Sequence, residues 1–155
     1  MSFFREFMDR QLKWDRRFVE VARGVSSWSK DPSTKVGVAL TNQHGRVIAT
    51  GYNGFARGVA DTEERLNDRP TKYELVVHAE ANAIVNCARE GVSTMGSTLY
   101  VWPGNHICNE CAKLIIQAGI IRTVGPRTDA FARWGTGRGM LQEAGVDIDY
   151  IEMES

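Results

Sequence analysis

Long apolar runs are missing from this sequence. None approaches the ~20 residues that a membrane-spanning helix needs, so a helical transmembrane protein is excluded. Cysteine is scarce. Three cysteines cannot close a disulfide framework, and two of them stand as Cys108-Asn109-Glu110-Cys111. That spacing points to metal or redox chemistry before it points to a staple. Charge of one sign is also missing: 19 Lys and Arg balance 19 Asp and Glu. A strongly basic nucleic-acid binder and a polyanionic tail are both disfavoured. Met1-Ser2-Phe3-Phe4-Arg5-Glu6 carries no apolar signal core, so a cytoplasmic rather than a secreted protein is expected. Repeats, low-complexity tracts and long linkers are absent as well. What is present is ordinary for a soluble globular protein: 155 residues, 43% hydrophobic and 25% charged. One domain over residues 1–155 is expected, burying roughly 68–70% of its unfolded surface.

Hydrophobic periodicity divides the chain. Leu12, Trp14, Phe18, Val19, Val21, Ala22, Val25 and Trp28 form an apolar stripe near the helical period. A helix is expected over the first thirty residues, ended by Asp31-Pro32-Ser33 because proline cannot continue it cheaply. Val36–Leu40 and Arg46–Tyr52 flank the turn Asn42-Gln43-His44-Gly45 and read as a hairpin. Asn53 to Thr71 has no steady period and reads as a long loop, a feature that is uncommon unless functional or disordered. His78–Arg89 reads as a helix closed by Gly91, and Cys108–Ala118 as one closed by Gly119. Ala130–Ala144 reads as a third helix despite its glycines. Thr98–Trp102, Ile120–Val124 and Val146–Ile151 read as strands. The alternation predicts a three-layer α/β/α domain around a five-stranded mixed sheet.

Three segments carry chemistry: His78-Ala79-Glu80, Cys108-x-x-Cys111 and Gly51-Tyr52-Asn53-Gly54. A Cys-x-x-Cys pair at a helix start can grip one ion with two thiolates, and the helix dipole favours those thiolates. His78, at another helix start, adds a third ligand. Three protein ligands leave the fourth position of a tetrahedral zinc open to water, which is the catalytic pattern. Glu80, two residues after His78, would lie beside that water and could take its proton. Each motif alone is common. Both together, each opening a helix with a strand between them, are specific.

At these residues the sequence resembles the zinc-dependent cytidine/deoxycytidylate deaminases, whose signature is H-x-E followed by P-C-x-x-C. Asp31-Pro32-Ser33-Thr34-Lys35-Val36-Gly37, Gly51-Tyr52-Asn53-Gly54-Phe55 and the run from Cys111 to Ile120 are similar to the deoxycytidylate deaminase branch in particular. The resemblance implies that His78, Cys108 and Cys111 bind Zn²⁺ and that Glu80 shuttles protons. It implies dCMP as substrate and dUMP as product. It also implies that the Ala79 backbone and Asn53 position base and sugar. Lys30, Ser33, Lys35 and Arg133 are the candidate phosphate contacts. Activation by dCTP, inhibition by dTTP and a homo-hexamer are further implications. The stretch Asn53, Gly54, Phe55 and Arg57 is the candidate effector site, with Mg²⁺ accompanying the triphosphate.

The chain departs from the family pattern twice. Ile107 stands where a proline usually precedes the first cysteine, and Trp28 stands where members often carry an arginine suited to phosphate. Other readings compete. A tRNA adenosine deaminase shares the zinc signature, but no basic stripe is present. A deaminase of free cytosine or cytidine needs no phosphate clamp, and dCTP competes with dCMP as the substrate. A structural zinc module predicts four protein ligands, with His106 the spare candidate; a loop role is expected for it instead. Cys87 is expected to be a buried apolar cysteine, and Glu110 a solvated first-turn acid. The tryptophans are expected mostly in the core, with Trp102 and Trp134 near loops that could flank the site.

Overall fold

The computed structural model describes residues 2–130 and 136–154. It opens with α1, Phe3–Ser26, whose N-cap Ser2 accepts a hydrogen bond from the Arg5 N–H through its side chain. The strands β1, Gly37–Thr41, and β2, Val47–Tyr52, form the expected hairpin. Next come β3, Gly54–Phe55; α2, Glu63–Asn67; α3, Arg69–Leu75; and β4, Val76–Val77. The remaining elements are α4, Ala79–Glu90; β5, Thr98–Trp102; α5, Asn109–Gln117; β6, Arg122–Gly125; α6, Arg138–Glu143; and β7, Asp147–Tyr150. Among the described residues no helix is long and apolar enough to cross a membrane.

The main sheet has the strand order β2-β1-β5-β6-β7. The β1 strand runs antiparallel to both β2 and β5, while β5, β6 and β7 run parallel. The sheet is therefore mixed and five-stranded, as expected. Side chains alternate across it. Val38, Leu40, Leu99 and Val101 face one way, onto Ala83 and Cys87 of α4, Ile115 of α5 and Leu141 of α6. Ala39, Tyr100 and Val124 face the other way, onto Val19 of α1. Helices thus cover both faces, and β1 is buried along its whole length.

Four expectations are corrected. The segment from Asn53 to Thr71 is not one long loop: it holds β3, α2 and the start of α3. These elements escape a periodicity reading because α2 buries no residue and α3 buries only Lys72. Their signals are caps, with Thr62 and Asp68 accepting from the N–H groups of Arg65 and Thr71. The helix expected from Ala130 is only α6; its upstream part falls partly on 131–135, outside the described residues, and Thr136 and Gly137 are not helical. The stripe on α1 is narrower than expected: Val19, Ala22 and Val25 are buried but Trp14 is 46% exposed, and the helix ends at Ser26, before Trp28, which is 59% exposed. This also corrects the placing of these two tryptophans in the core. Strand β6 begins at Arg122 rather than Ile120.

Candidate active site

Both helices of the site begin on a candidate ligand. His78 is the N-cap of α4 and Cys108 the N-cap of α5, each with extended backbone. A residue at that position leaves the helix axis, so its side chain can turn toward a neighbouring helix start. The His78 Nδ1 lies 3.4 Å from the Cys108 Sγ and 3.5 Å from the Cys111 Sγ. The Cys111 N–H donates to the Cys108 sulfur at 3.5 Å. His78 is exposed, Cys108 half-buried and Cys111 buried.

These spacings suit one tetrahedral ion. Bond lengths of ~2.1 Å to nitrogen and ~2.3 Å to sulfur place two such ligand atoms about 3.6 Å apart. The donor set of one imidazole and two thiols is that of zinc. His78, Cys108 and Cys111 form the only cluster of three potential metal-ligating groups among the described residues. Three donors leave a fourth position, so a closed structural zinc site is not what these residues build.

The groups polarise one another. Hydrogen bonding from the Cys111 thiol, aided by His78, holds the Cys108 thiol down at about 3. The same sulfur–sulfur hydrogen bond, with burial, holds the Cys111 thiol above its ordinary range. Metal binding requires both sulfurs as thiolates, so a divalent ion displaces protons from this pair. The hydrogen bond to Cys108 pushes the His78 imidazole up. Glu80, 5% exposed in the first turn of α4, is pushed up by desolvation. A carboxyl held above its usual range beside candidate metal ligands is suited to accepting a proton.

The Gly51–Gly54 segment is clamped to the same helix. Tyr52 O accepts from Asn82 Nδ2 of α4 at 2.8 Å. Asn53 is buried, and its Oδ1 accepts from the Val36 N–H at 2.8 Å while its Nδ2 donates to Thr34 O at 2.9 Å. Gly54 and Phe55 pair with Val77 and Val76, directly before His78. Arg57 is exposed and donates to Asn86 Oδ1 of α4 at 2.6 Å. Ala79 is buried between the two catalytic-motif residues.

Of the phosphate candidates, Ser33 and Lys35 are exposed, and Lys30 Nζ is paired with Asp61 Oδ2 at 2.9 Å. Arg133 and Trp134 lie outside the described residues. Cys87 is buried as expected, and Glu110 is exposed and paired with Lys113. Ile107 is buried in the core, and its carbonyl accepts from the Gly137 N–H at 2.8 Å. This anchors the loop without the usual proline.

Sequence reasoning missed Asp31 as anything but a helix stop. Its Oδ1 accepts from the N–H groups of Ser33 and Thr34 and from buried Lys72 Nζ at 3.2 Å. The Asp-Pro-Ser-Thr sequence was a local signal for this turn, but the lysine partner, 41 residues away, was not.

A domain of this topology, with three donors suited to zinc and a buried carboxyl beside them, has the parts that a zinc-dependent hydrolase needs. Residues 12–125 match the family model described as the cytidine and deoxycytidylate deaminase zinc-binding region. An Aliivibrio fischeri protein, "Uncharacterized deaminase in luxG 3'region", is 37% identical over 150 residues, covering 92% of this chain and 96% of that one. The deoxycytidylate deaminase of Mus musculus is 42% identical over 121 residues; the match covers 72% of this chain and 64% of the mouse protein. The apo crystal structure of dCMP deaminase from cyanophage S-TIM5 superposes with a TM-score of 0.72 at 26% identity, covering 90% of this chain and 98% of that one. The same phage protein is also known in complex with dCMP and dUMP. The chain belongs to the cytidine and deoxycytidylate deaminase family and is a zinc-dependent hydrolytic deaminase.

Proposed function

We propose that the chain converts dCMP and water to dUMP and ammonia, supplying dUMP for thymidine nucleotide synthesis. The observation that carries this reading is the buried Glu80 carboxylate, one residue inside the helix whose cap is the ligand His78. The likeness to deoxycytidylate deaminases supports the choice of substrate.

His78, Cys108 and Cys111 hold the zinc. When bound, zinc supplies Lewis-acid activation of a water nucleophile near neutral pH. Glu80 accepts a proton from that water as its oxygen attacks C4 of the cytosine ring, and delivers it to ring N3. It then takes the second proton from the oxygen now bound to C4 and passes it to the 4-amino group; the C4–N bond breaks, ammonia leaves and C4 becomes a carbonyl. The low exposure of Glu80 keeps bulk water from competing for that proton. Asn53, fixed to the 34–36 segment, and the Ala79 backbone position the base and sugar.

The experiment is ammonia release measured side by side with dCMP, dCTP, deoxycytidine and an adenosine-bearing tRNA hairpin. The highest kcat/KM is expected with dCMP. A preference for the hairpin or for the free nucleoside would overturn the reading.

Regulation by dCTP·Mg²⁺ as activator and dTTP as inhibitor, in a homo-hexamer, belongs to the same proposal. Two contacts support it. Gly54 and Phe55 are laddered to the strand that ends at His78, and Arg57 bonds α4 at Asn86. A ligand ordering residues 54–57 would bias the helix that carries Glu80. Coupling of ~1–3 kcal/mol, about 5–150-fold, is expected. The test is dCMP saturation with each nucleotide in wild type and Arg57→Ala. Curves indifferent to both nucleotides would remove the regulatory role.

A further inference from the structure

We propose that the phosphate of the nucleotide substrate is held by Arg127 and Arg138 in a cavity beside the metal-ligand loop. The proposal rests on the reading of the substrate as dCMP.

A phosphate site is needed, and the expected one is poorly supplied. Trp28 places an indole, edge-on to Tyr52 with ring centroids 6.0 Å apart, where the family resemblance anticipates a guanidinium. Of the neighbouring cations, Lys30 is paired with Asp61 and buried Lys72 with Asp31, which leaves Lys35, exposed.

A cavity of about 190 Å³ lies on the other flank, walled by Asn105, Ile107, Arg127, Thr128, Arg138 and Tyr150. Its position is that of a ligand site. Strands β5, β6 and β7 are parallel and end at Trp102, Gly125 and Tyr150. The walls at 105–107 and 127–128 follow two of those ends, and Tyr150 is the third. Ligands of open α/β sheets bind outside the carboxyl ends of the strands. Ile107 is also the residue immediately before Cys108, ~3.8 Å away along the chain. A phosphate bound there would lie next to the loop that carries Cys108. The volume suits a phosphoryl group with part of its sugar and is too small for a whole nucleotide.

The lining chemistry matches that end of the ligand. The Arg127 guanidinium lies 4.0 Å and that of Arg138 5.5 Å from the centroid of the Tyr150 ring. An aromatic face orients a guanidinium while leaving its N–H edge free to donate. Among the described residues neither arginine forms an ion pair, in contrast to Lys30, Lys72 and Arg122. Asp129 also lines the cavity, so the local balance is two cations to one anion. Asn105 is 5% exposed, and its Nδ2 donates to Asp149 O at 3.0 Å. Its buried Oδ1 has no partner among the described residues. That oxygen can only accept, and a deoxyribose hydroxyl beside the phosphate is a fitting donor. Two guanidiniums for the phosphate and one acceptor for a sugar hydroxyl describe a nucleoside monophosphate.

The test compares the zinc-loaded wild type with Arg127→Met/Arg138→Met and with Lys30→Met. Zinc content and melting temperature serve as controls for folding. Calorimetry with dUMP and with deoxyuridine reads what the phosphate adds to affinity without requiring turnover. The wild type is expected to bind dUMP more tightly, and the double variant to lose about 10–100-fold of that preference. The ratio of kcat/KM for dCMP over deoxycytidine should collapse in parallel, mainly through KM. Arg127→Lys/Arg138→Lys should recover part of both. A phosphate preference that survives the double variant, or that disappears with Lys30→Met instead, overturns the proposal. Absence of dCMP turnover by the zinc-loaded wild type, with the dUMP preference intact, overturns the dCMP reading alone.

Discussion

Arg122 of β6 holds Asp15 of α1 with two parallel hydrogen bonds, Nη1 to Oδ1 at 2.9 Å and Nη2 to Oδ2 at 2.7 Å, across 107 residues of sequence. Asp15 is 3% exposed and also accepts from the Tyr100 hydroxyl at 2.8 Å. Burial, followed by the Asp15 charge, pushes the Tyr100 phenol up, so it remains a donor. The Arg122 Nε donates to Asp149 Oδ2 at 2.6 Å. One guanidinium thus ties α1, β6 and β7 together.

Arg122→Met leaves the buried Asp15 carboxylate without its cation. A loss of ~3–5 kcal/mol is expected, the usual cost of stranding a buried charge. Urea denaturation measures it. Arg122→Lys should recover little, because an ammonium cannot reproduce the two-pronged geometry. A loss below 1 kcal/mol for Arg122→Met would mean that water reaches the carboxylate.

Glu80→Gln is nearly isosteric but cannot accept the water proton. Zinc content is expected to stay at one per chain, while kcat falls by at least ~10²–10⁴-fold. Metal analysis together with steady-state kinetics checks both halves. Retention of most of the rate would assign the proton transfer to another group.

The three cysteines should differ in reactivity. In the zinc-loaded protein, Cys108 and Cys111 are protected as ligands and Cys87 by burial, which also pushes its thiol up. A thiol reagent should find almost no fast-reacting group. Removing zinc with a chelator should release two fast thiols, with Cys108 the more reactive because hydrogen bonding from Cys111 and His78 lowers its thiol. The third should appear only on unfolding. His78→Ala and Cys108→Ser should each abolish stable zinc retention.

Gly51 shows how packing reaches the site. A Cβ there would meet Ala79 O at 2.4 Å and Ala83 N at 2.5 Å, both backbone atoms of α4. Gly51→Ala must push the first turn of α4 away from β2, carrying His78 and Glu80 with it. A destabilisation of at least ~1–3 kcal/mol is expected, with weakened zinc affinity. Competition against a chelator of known strength measures the second effect. Unchanged affinity would show that α4 moves without its cap residue.

Much of the site was legible because its residues act through local spacing. His78-x-Glu80 and Cys108-x-x-Cys111 each open a helix, and a helix start fixes where the first-turn side chains point. The strands Thr98–Trp102 and Val47–Tyr52 were legible for the same reason, since β-branched and aromatic runs bounded by turn residues need no distant partner to be recognised. The helices α2 and α3 were not, because their charged residues show no apolar period and only short-range caps hold them. Nor was the exposure of Trp14 and Trp28, since residue type says nothing about whether a neighbouring element arrives to cover it.

The sequence by itself determined that His78-x-Glu80 and Cys108-x-x-Cys111 each stand at a helix start, and the alternation that makes an α/β/α domain. Each of these depends on residues within one turn of helix or one strand. Only the tertiary structure decided that His78 lies 3.4–3.5 Å from two sulfurs thirty or more residues away. The folded chain also decided that buried Asp15 and Asp31 find cations, and that Arg127 and Arg138 both lie over the Tyr150 ring. The reason is physical. Pairing of charges and donors across a core depends on which strands become neighbours, and the order β2-β1-β5-β6-β7 is set by the packing of whole faces rather than by any local spacing of residues.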